Sequence, residues 1–169
     1  MCIAQIGMRL HGLAIWRIII SQEANMTSAV IAEVLGGKKT LGRSIKNFAE
    51  LADLIRRGLP SGSLLVLGEK LDLKNAALSE KLGIPQRTLT RRLSRHSRLT
   101  AAESDRTVRL ARVYATAVEM IGNTEKAAQW LRTPNRALGG AIPIDHLDTD
   151  LGTREVENIL GRIAYGVYS

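Results

Sequence analysis

Between positions 86 and 98 the chain sets Gln86, Arg87, Thr90, Arg91, Arg92, Ser94, Arg95 and Arg98, side chains whose donors match the edges of nucleic-acid bases and the phosphates beside them. An arginine fork pairs bidentately with guanine and a glutamine amide with adenine, and an α-helix fits the major groove where those edges are displayed. Gln86, Arg87, Thr90 and Arg91 fall near the start of one helix, on a face shared with Ser94, so short reaches would meet base edges. Arg92 and Arg95 flank that face; with Arg98 and the helix N-terminus they suit phosphates. The competing reading of the same residues is a helical hairpin with a solvated basic surface.

The distribution of charge bears on that choice. The whole chain has 24 Lys/Arg against 16 Asp/Glu, a formal net charge of +8. Residues 1–80 hold 10 and 7 of these, residues 81–112 hold 9 and 2, and residues 113–169 hold 5 and 7. The excess is concentrated in one short stretch, the pattern of a local footprint for a polyanion. The last third is slightly acidic.

No catalytic constellation accompanies this footprint. His11, His96 and His146 are scattered and no HExxH occurs. Gly36-Gly37-Lys38-Lys39-Thr40 lacks the earlier glycine of a phosphate loop, since Ala32 stands there. Asp145, Asp148 and Asp150 lack the glycine and closing glutamate of a calcium loop and read as loop solvation. A binding protein with no metal and no cofactor is expected, not an enzyme. The single cysteine, Cys2, cannot form an internal disulfide. The apolar run Leu13 to Ile20 is broken by Arg17 and is too short for a membrane span. A cytoplasmic location away from membranes follows as an expectation, and Met8 and Met26 leave open a later start of translation.

Helices must position the basic side chains, because no segment alternates with the period of two that a half-buried strand requires. The fold class expected is all-α. Ser28 can cap a helix through Leu35 that ends at Gly36 and Gly37, with Lys38 to Arg43 as a basic connector. Asn47 and Glu50 form a capping-box pattern for Phe48 to Arg57, where Leu51, Leu54 and Ile55 share a face and Gly58 stops the helix. A further helix covers Ser61 to Leu71. Asp72 can cap a helix through Leu82, Gly83 can take positive φ in a turn, and Pro85 can open the next helix. Leu78, Leu82, Ile84, Leu89 and Leu93 then make the small core of a helix-turn-helix. Thr100 and Glu103 form a second capping box for a long helix to Ile121. Gly122 ends it, Asn123 caps a short helix carrying Trp130 and Leu131, and Thr149 caps a last helix holding Leu151, Val156, Ile159, Leu160 and Ile163. The divisions that follow are an N-terminal extension over 1–26, a helical region over 27–99 containing the helix-turn-helix at 72–96, and a helical C-terminal domain over 100–169.

Several runs together carry a family resemblance: Val34-Leu35-Gly36-Gly37, Glu103-Ser104-Asp105-Arg106, Arg109-Leu110-Ala111-Arg112, Trp130-Leu131-Arg132-Thr133-Pro134-Asn135-Arg136-Ala137-Leu138-Gly139-Gly140, and Val156-Glu157-Asn158-Ile159-Leu160-Gly161-Arg162-Ile163. From about Ala32 to Ser169 the chain resembles the Xre/MbcA/ParS antitoxins. The Trp130 to Gly140 run is the specific part. Residues 1–25 lie outside the resemblance, and Ile142 stands where relatives often place a capping Thr before the Pro. The resemblance implies a cognate RES-domain toxin that attacks NAD and is silenced by the C-terminal domain, together with repression of the protein's own operon through operator DNA.

Contact with that toxin would fall on the C-terminal aromatics and the loop beside them. Trp130 has two readings, core and interface, since Trp serves both. Tyr165, Tyr168 and the carboxylate of Ser169 end the chain, where an aromatic has little of its own fold to pack on. Arg132, Asn135 and Arg136 are the polar contact candidates. A homodimer on an inverted repeat is expected, because one short helix reads few bases, with its interface in residues 1–60 at the Leu51, Leu54, Ile55 face. The alternative function is a free-standing helix-turn-helix repressor whose C-terminal domain dimerises or senses a ligand. A recombinase fragment would need a catalytic domain that the chain is too short to hold.

Overall fold

The computed structural model describes residues 27–164, and every regular element among them is helical. A first helix, α1, is helical over 27–34; α2 is Gly37–Leu41, α3 Phe48–Arg57, α4 Gly62–Lys70, α5 Asn75–Leu82, α6 Gln86–Ser94, α7 Ala101–Ile121, α8 Thr124–Arg132 and α9 Asp150–Ala164. Two 3-10 turns, Arg136–Leu138 and Pro143–Asp148, lie between α8 and α9. Among the described residues the only strand-like feature is one antiparallel bridge, Pro60 with Arg98.

The long helix α7 organises the rest, packing against α3, α5, α8, α9 and the second 3-10 turn. Its start is fixed by the expected capping box: Thr100 Oγ1 accepts from the Glu103 amide at 3.2 Å, and Glu103 Oε2 accepts from the Thr100 amide at 2.7 Å. Its buried face includes Val108, Leu110, Ala111, Val113, Tyr114 and Ala117. Ser104 is also fully buried, and it is satisfied on both sides: its hydroxyl donates to the Thr100 carbonyl at 2.7 Å and accepts from the Leu59 amide at 2.9 Å. Buried polar groups without such partners cost stability, so this serine also ties the α3–α4 connection to α7.

One core runs through both halves of the chain, from Ile31 and Leu35 through Leu64 and Leu78 to Leu131 and Leu160. Burying each such leucine is worth roughly 1.5 to 3 kcal/mol. The last third therefore shares its apolar interior with the helix-turn-helix. Thr149 caps α9 as expected, accepting from the Gly152 amide at 3.1 Å, and Asn123 caps α8 through the Lys126 amide at 2.8 Å.

Several local expectations give way. Residue 28 lies inside α1 rather than at its cap, and the basic connector at Lys38 contains the helical turn α2. Asn47 does cap α3, but the Glu50 carboxylate accepts from the Lys46 amide at 2.8 Å, which completes no box with Asn47's own amide. Asp72 is no cap: it takes a left-handed φ of 50° in the turn before α5, whose N-cap is Lys74. Pro85 precedes α6 as its N-cap residue. Leu51 and Leu54 are buried in the chain's own core, where α3 packs on α7, so their face is not free to pair with a second copy. Leu151 is 80% exposed and belongs to no core.

Candidate functional site

Helices α5 and α6 meet at a tight turn whose geometry follows from its residues. Gly83 takes φ 61°, a conformation that costs glycine little, and its amide closes α5 on the Glu80 carbonyl at 3.1 Å. Ile84 then folds back: its amide donates to the Ser79 carbonyl at 2.9 Å, and the Ser79 hydroxyl donates to the Ile84 carbonyl. Leu78, Leu82, Ile84 and Leu89 are each at most 2% exposed, and Leu93 packs against them partly buried. Arg106, reaching from α7, donates to the Leu82 carbonyl at 2.8 Å and so braces the end of α5.

With Leu89 turned inward, α6 leaves Gln86, Arg87, Thr90, Arg91, Ser94 and Arg95 exposed. Arg87, Arg91 and Arg95 recur every four residues and so run along one side of the helix. The nine cations of residues 81–112 divide sharply. Lys81 binds Asp145 at 2.5 Å, Arg106 holds Leu82, Arg109 binds Asp105 at 2.9 Å, and Arg112 binds Glu157 at 3.0 Å. Arg92 lies 3.2 Å from Glu103 and donates to the Arg98 carbonyl at 2.6 Å; Arg98 donates to the Gly58 carbonyl at 2.6 Å. Among the described residues, only Arg87, Arg91 and Arg95 of the nine are left without an intramolecular partner.

That division corrects the phosphate-contact set. Arg92 is an internal clamp between α6 and the N-terminus of α7, its side chain only 17% exposed. Arg98, on the other side of the same clamp, fixes the segment that follows α6 to the end of α3. Ser94 is exposed, with its hydroxyl donating to the Arg91 carbonyl at 3.0 Å.

A second open feature lies at the other end of α7, a groove of about 900 Å³. It is lined by Ile121, Trp130, Ile159 and Ile163, with Pro134, Asn135 and Ala137 beside them. Lys126, Arg136 and Arg162 line it as well, all three exposed. Trp130 is half-buried, which joins its two sequence readings: one part packs on the core and the rest faces the groove. Asn135 is chiefly structural, its Oδ1 accepting from the Ala137 amide at 2.9 Å and its amide donating to the Ala141 carbonyl at 2.9 Å.

The sequence reading puts Arg132 beside Trp130 as a polar contact, and the structure turns it away from the groove that Trp130 lines. Arg132 is the last residue of α8 and is turned toward α4, with its guanidinium 3.0 Å from Asp72 and its Nε donating to the Ala128 carbonyl. Positions 130 and 132 are about 200° apart around a helix, so this separation follows from the spacing. Lys126 and Arg162 escaped sequence reasoning, although Lys126 is one helical turn before Trp130 and Arg162 adjoins Ile163. Tyr165, Tyr168 and Ser169 lie outside the described residues. No group of three or more His, Cys, Asp or Glu among the described residues could hold a metal ion, and two of the three carboxylates of the acidic run are in ion pairs, Asp145 with Lys81 and Asp150 with Arg154 at 2.9 Å.

Comparison with known proteins names the two domains in which these features lie. Residues 50–112 match the antitoxin Xre-like helix-turn-helix domain, and residues 116–166 match the antitoxin Xre/MbcA/ParS C-terminal toxin-binding domain. The chain is 35% identical over 120 residues to an antitoxin Xre of Yersinia enterocolitica, covering 70% of this chain and 81% of that one. It is 33% identical over 132 residues to an antitoxin Xre of Photorhabdus laumondii, covering 78% and 89%. A more distant relative, from Sphingobium, is named a Prs ADP-ribosylating antitoxin and is 26% identical over 153 residues, 79% of this chain and 96% of that one. With a helix-turn-helix and a toxin-binding domain built around one long helix, the chain belongs to the Xre family of antitoxins.

Proposed function

We propose that this antitoxin neutralises a RES-domain toxin that attacks NAD, by direct binding of its C-terminal domain, and represses its own operon through α6. The observation that carries the reading is the segregation of two open faces on one core. Three arginines without a partner among the described residues lie on the second helix of the helix-turn-helix and at its C-cap, and an apolar groove with a cationic lining lies at the far end of α7, a helix about 30 Å long. Arg87 and Arg91, with Gln86 and Thr90, read base edges, while Arg95 holds phosphate. Trp130 and Arg136, with the chain-terminal Tyr165, Tyr168 and Ser169, contact the toxin. Two copies act on an inverted repeat, paired through a surface other than Leu51 and Leu54.

Support for the toxin's chemistry comes from the Sphingobium relative, whose name carries ADP-ribosylation, a reaction that consumes NAD. The test is to express the toxin gene beside this one in a heterologous host and follow cellular NAD with and without the antitoxin. Loss of NAD that the antitoxin prevents is the expected result. Growth arrest with NAD unchanged would overturn the toxin assignment. Footprinting of the operon's promoter should show two protected half-sites; a single half-site covered by a monomer would remove the dimer.

A further inference from the structure

Residues 113–169 carry more acidic than basic side chains, yet among the described residues the only charged groups lining the groove in this part of the molecule are cations. Of the five Lys/Arg in that stretch, Arg132 is paired with Asp72 at 3.0 Å and Arg154 with Asp150 at 2.9 Å. The other three, Lys126, Arg136 and Arg162, all line the groove, and none has a side-chain partner among the described residues. They come from α8, the first 3-10 turn and α9, so three separate elements bring their unpaired charges to one place. Among the described residues no carboxylate lines it with them.

Between the cations stand Ile121, Trp130, Ile159 and Ile163. A phosphate backbone makes no use of such walls, whereas a protein segment with apolar anchors flanked by carboxylates satisfies both halves of the lining. We infer that the groove is the seat of an acidic, apolar segment of the toxin, with Lys126, Arg136 and Arg162 as the specificity-determining charges around the Trp130 wall. This inference rests on the toxin-binding reading above and adds the chemistry of the partner surface. Unlike charges across the contact favour the right partner and speed its encounter, and they do so less as salt rises.

The experiment titrates the full-length antitoxin with the toxin encoded beside it, at about 0.05 M and about 0.3 M salt. A triple variant, Lys126→Gln, Arg136→Gln and Arg162→Gln, should bind roughly 10- to 100-fold more weakly at low salt and lose most of the salt dependence. All three side chains are exposed, so the fold should hold, and the melting temperature checks this. Arg154→Gln, which removes one charge outside the groove, should bind like the wild type. Unchanged affinity and salt slope in the triple variant would overturn the inference. So would a triple variant that keeps the toxin but loses operator DNA, since the groove would then be a nucleic-acid surface. A gain of toxin affinity on deleting residues 165–169 would make the chain's own tail the occupant and would also overturn it. NAD consumption by the same toxin is scored separately, so the toxin's chemistry and the groove's partner can fail independently.

Discussion

The Lys81 ammonium stands 2.5 Å from a carboxylate oxygen of Asp145, pinning the first helix of the helix-turn-helix to the 3-10 turn that opens the way to α9. The hydrogen bond to Asp145 is the main cause that holds the Lys81 amino group above the ordinary lysine value of 10.5. A group raised in this way contributes stability that is fully present below its unfolded value and is lost as pH climbs through the folded one. Lys81→Met should therefore lower unfolding stability in urea by up to about 1 kcal/mol at neutral pH. The gap between variant and wild type should close only in strongly alkaline solution, above about pH 10.5. A gap that already closed near pH 8 would assign the effect to another group.

On α6, Arg87→Ala and Arg91→Ala should each cost about 1 to 3 kcal/mol of operator binding and blur its sequence preference. Arg95→Ala should weaken binding to all sequences and flatten the salt dependence. Gel-shift titrations on operator and scrambled DNA separate the two patterns. Toxin neutralisation should be retained by all three variants.

Arg92→Ala should behave differently, because its guanidinium is a clamp. It removes the cation beside Glu103, whose carboxylate keeps the Thr100 amide, and the side-chain donor to the Arg98 carbonyl, and the expected loss is about 1 to 3 kcal/mol of folding stability. Operator binding by whatever fraction remains folded should keep its sequence preference. Circular dichroism melts beside the gel shifts would show this, and an unchanged melting temperature would return Arg92 to the DNA-contact set.

Gly58→Ala probes the junction that the clamp holds. Gly58 has φ 83°, and a Cβ there would sit 2.1 Å from the Leu99 carbonyl oxygen. Backbone lies on both sides of that contact, so no side-chain rotation relieves it. The variant should lose about 3 kcal/mol or more of stability by denaturant titration.

Deletion of residues 165–169 should release toxin activity and leave operator binding intact. Two tyrosines offer large, rigid contact area at small entropic cost, and losing both removes several kcal/mol, about 2 or more each if they are hot spots. NAD levels in cells and a thermal melt of the truncated chain test it together. A well-folded truncation that still neutralises would shift the contact to the groove cations.

What could be read from the residues was what depends on neighbours in sequence. Leu78, Leu82, Ile84 and Leu89 are spaced for one small core, Thr100 and Glu103 for a box, and Gly83, Gly122 and Asn123 for helix ends; all of these stand in the structure. The ion pairs between separate elements were out of reach because their partners are distant in sequence, as with Arg112 and Glu157 or Arg132 and Asp72. Hence Arg92 and Arg98 were counted with the open cations, although their bonds close a loop back to Glu103 and Gly58. The Lys126–Arg136–Arg162 lining was hidden for the same reason. Asp72 misled because an aspartate that caps a helix and one that takes a left-handed turn look alike in sequence.

The long helix α7 also has a mechanical meaning. Its Glu103 end holds α6 through Arg92 and its Ile121 end lines the groove, so it is a stiff rod of about 30 Å between the basic face and the groove. Under the proposed function, a toxin seated at one end would be held at a fixed bearing and offset from DNA gripped at the other, as on a ruler with no slack. Its bulk would then dictate which spacings of half-sites two loaded antitoxins could share, and the architecture of the operator would be matched to the girth of the toxin as well as to the letters α6 reads.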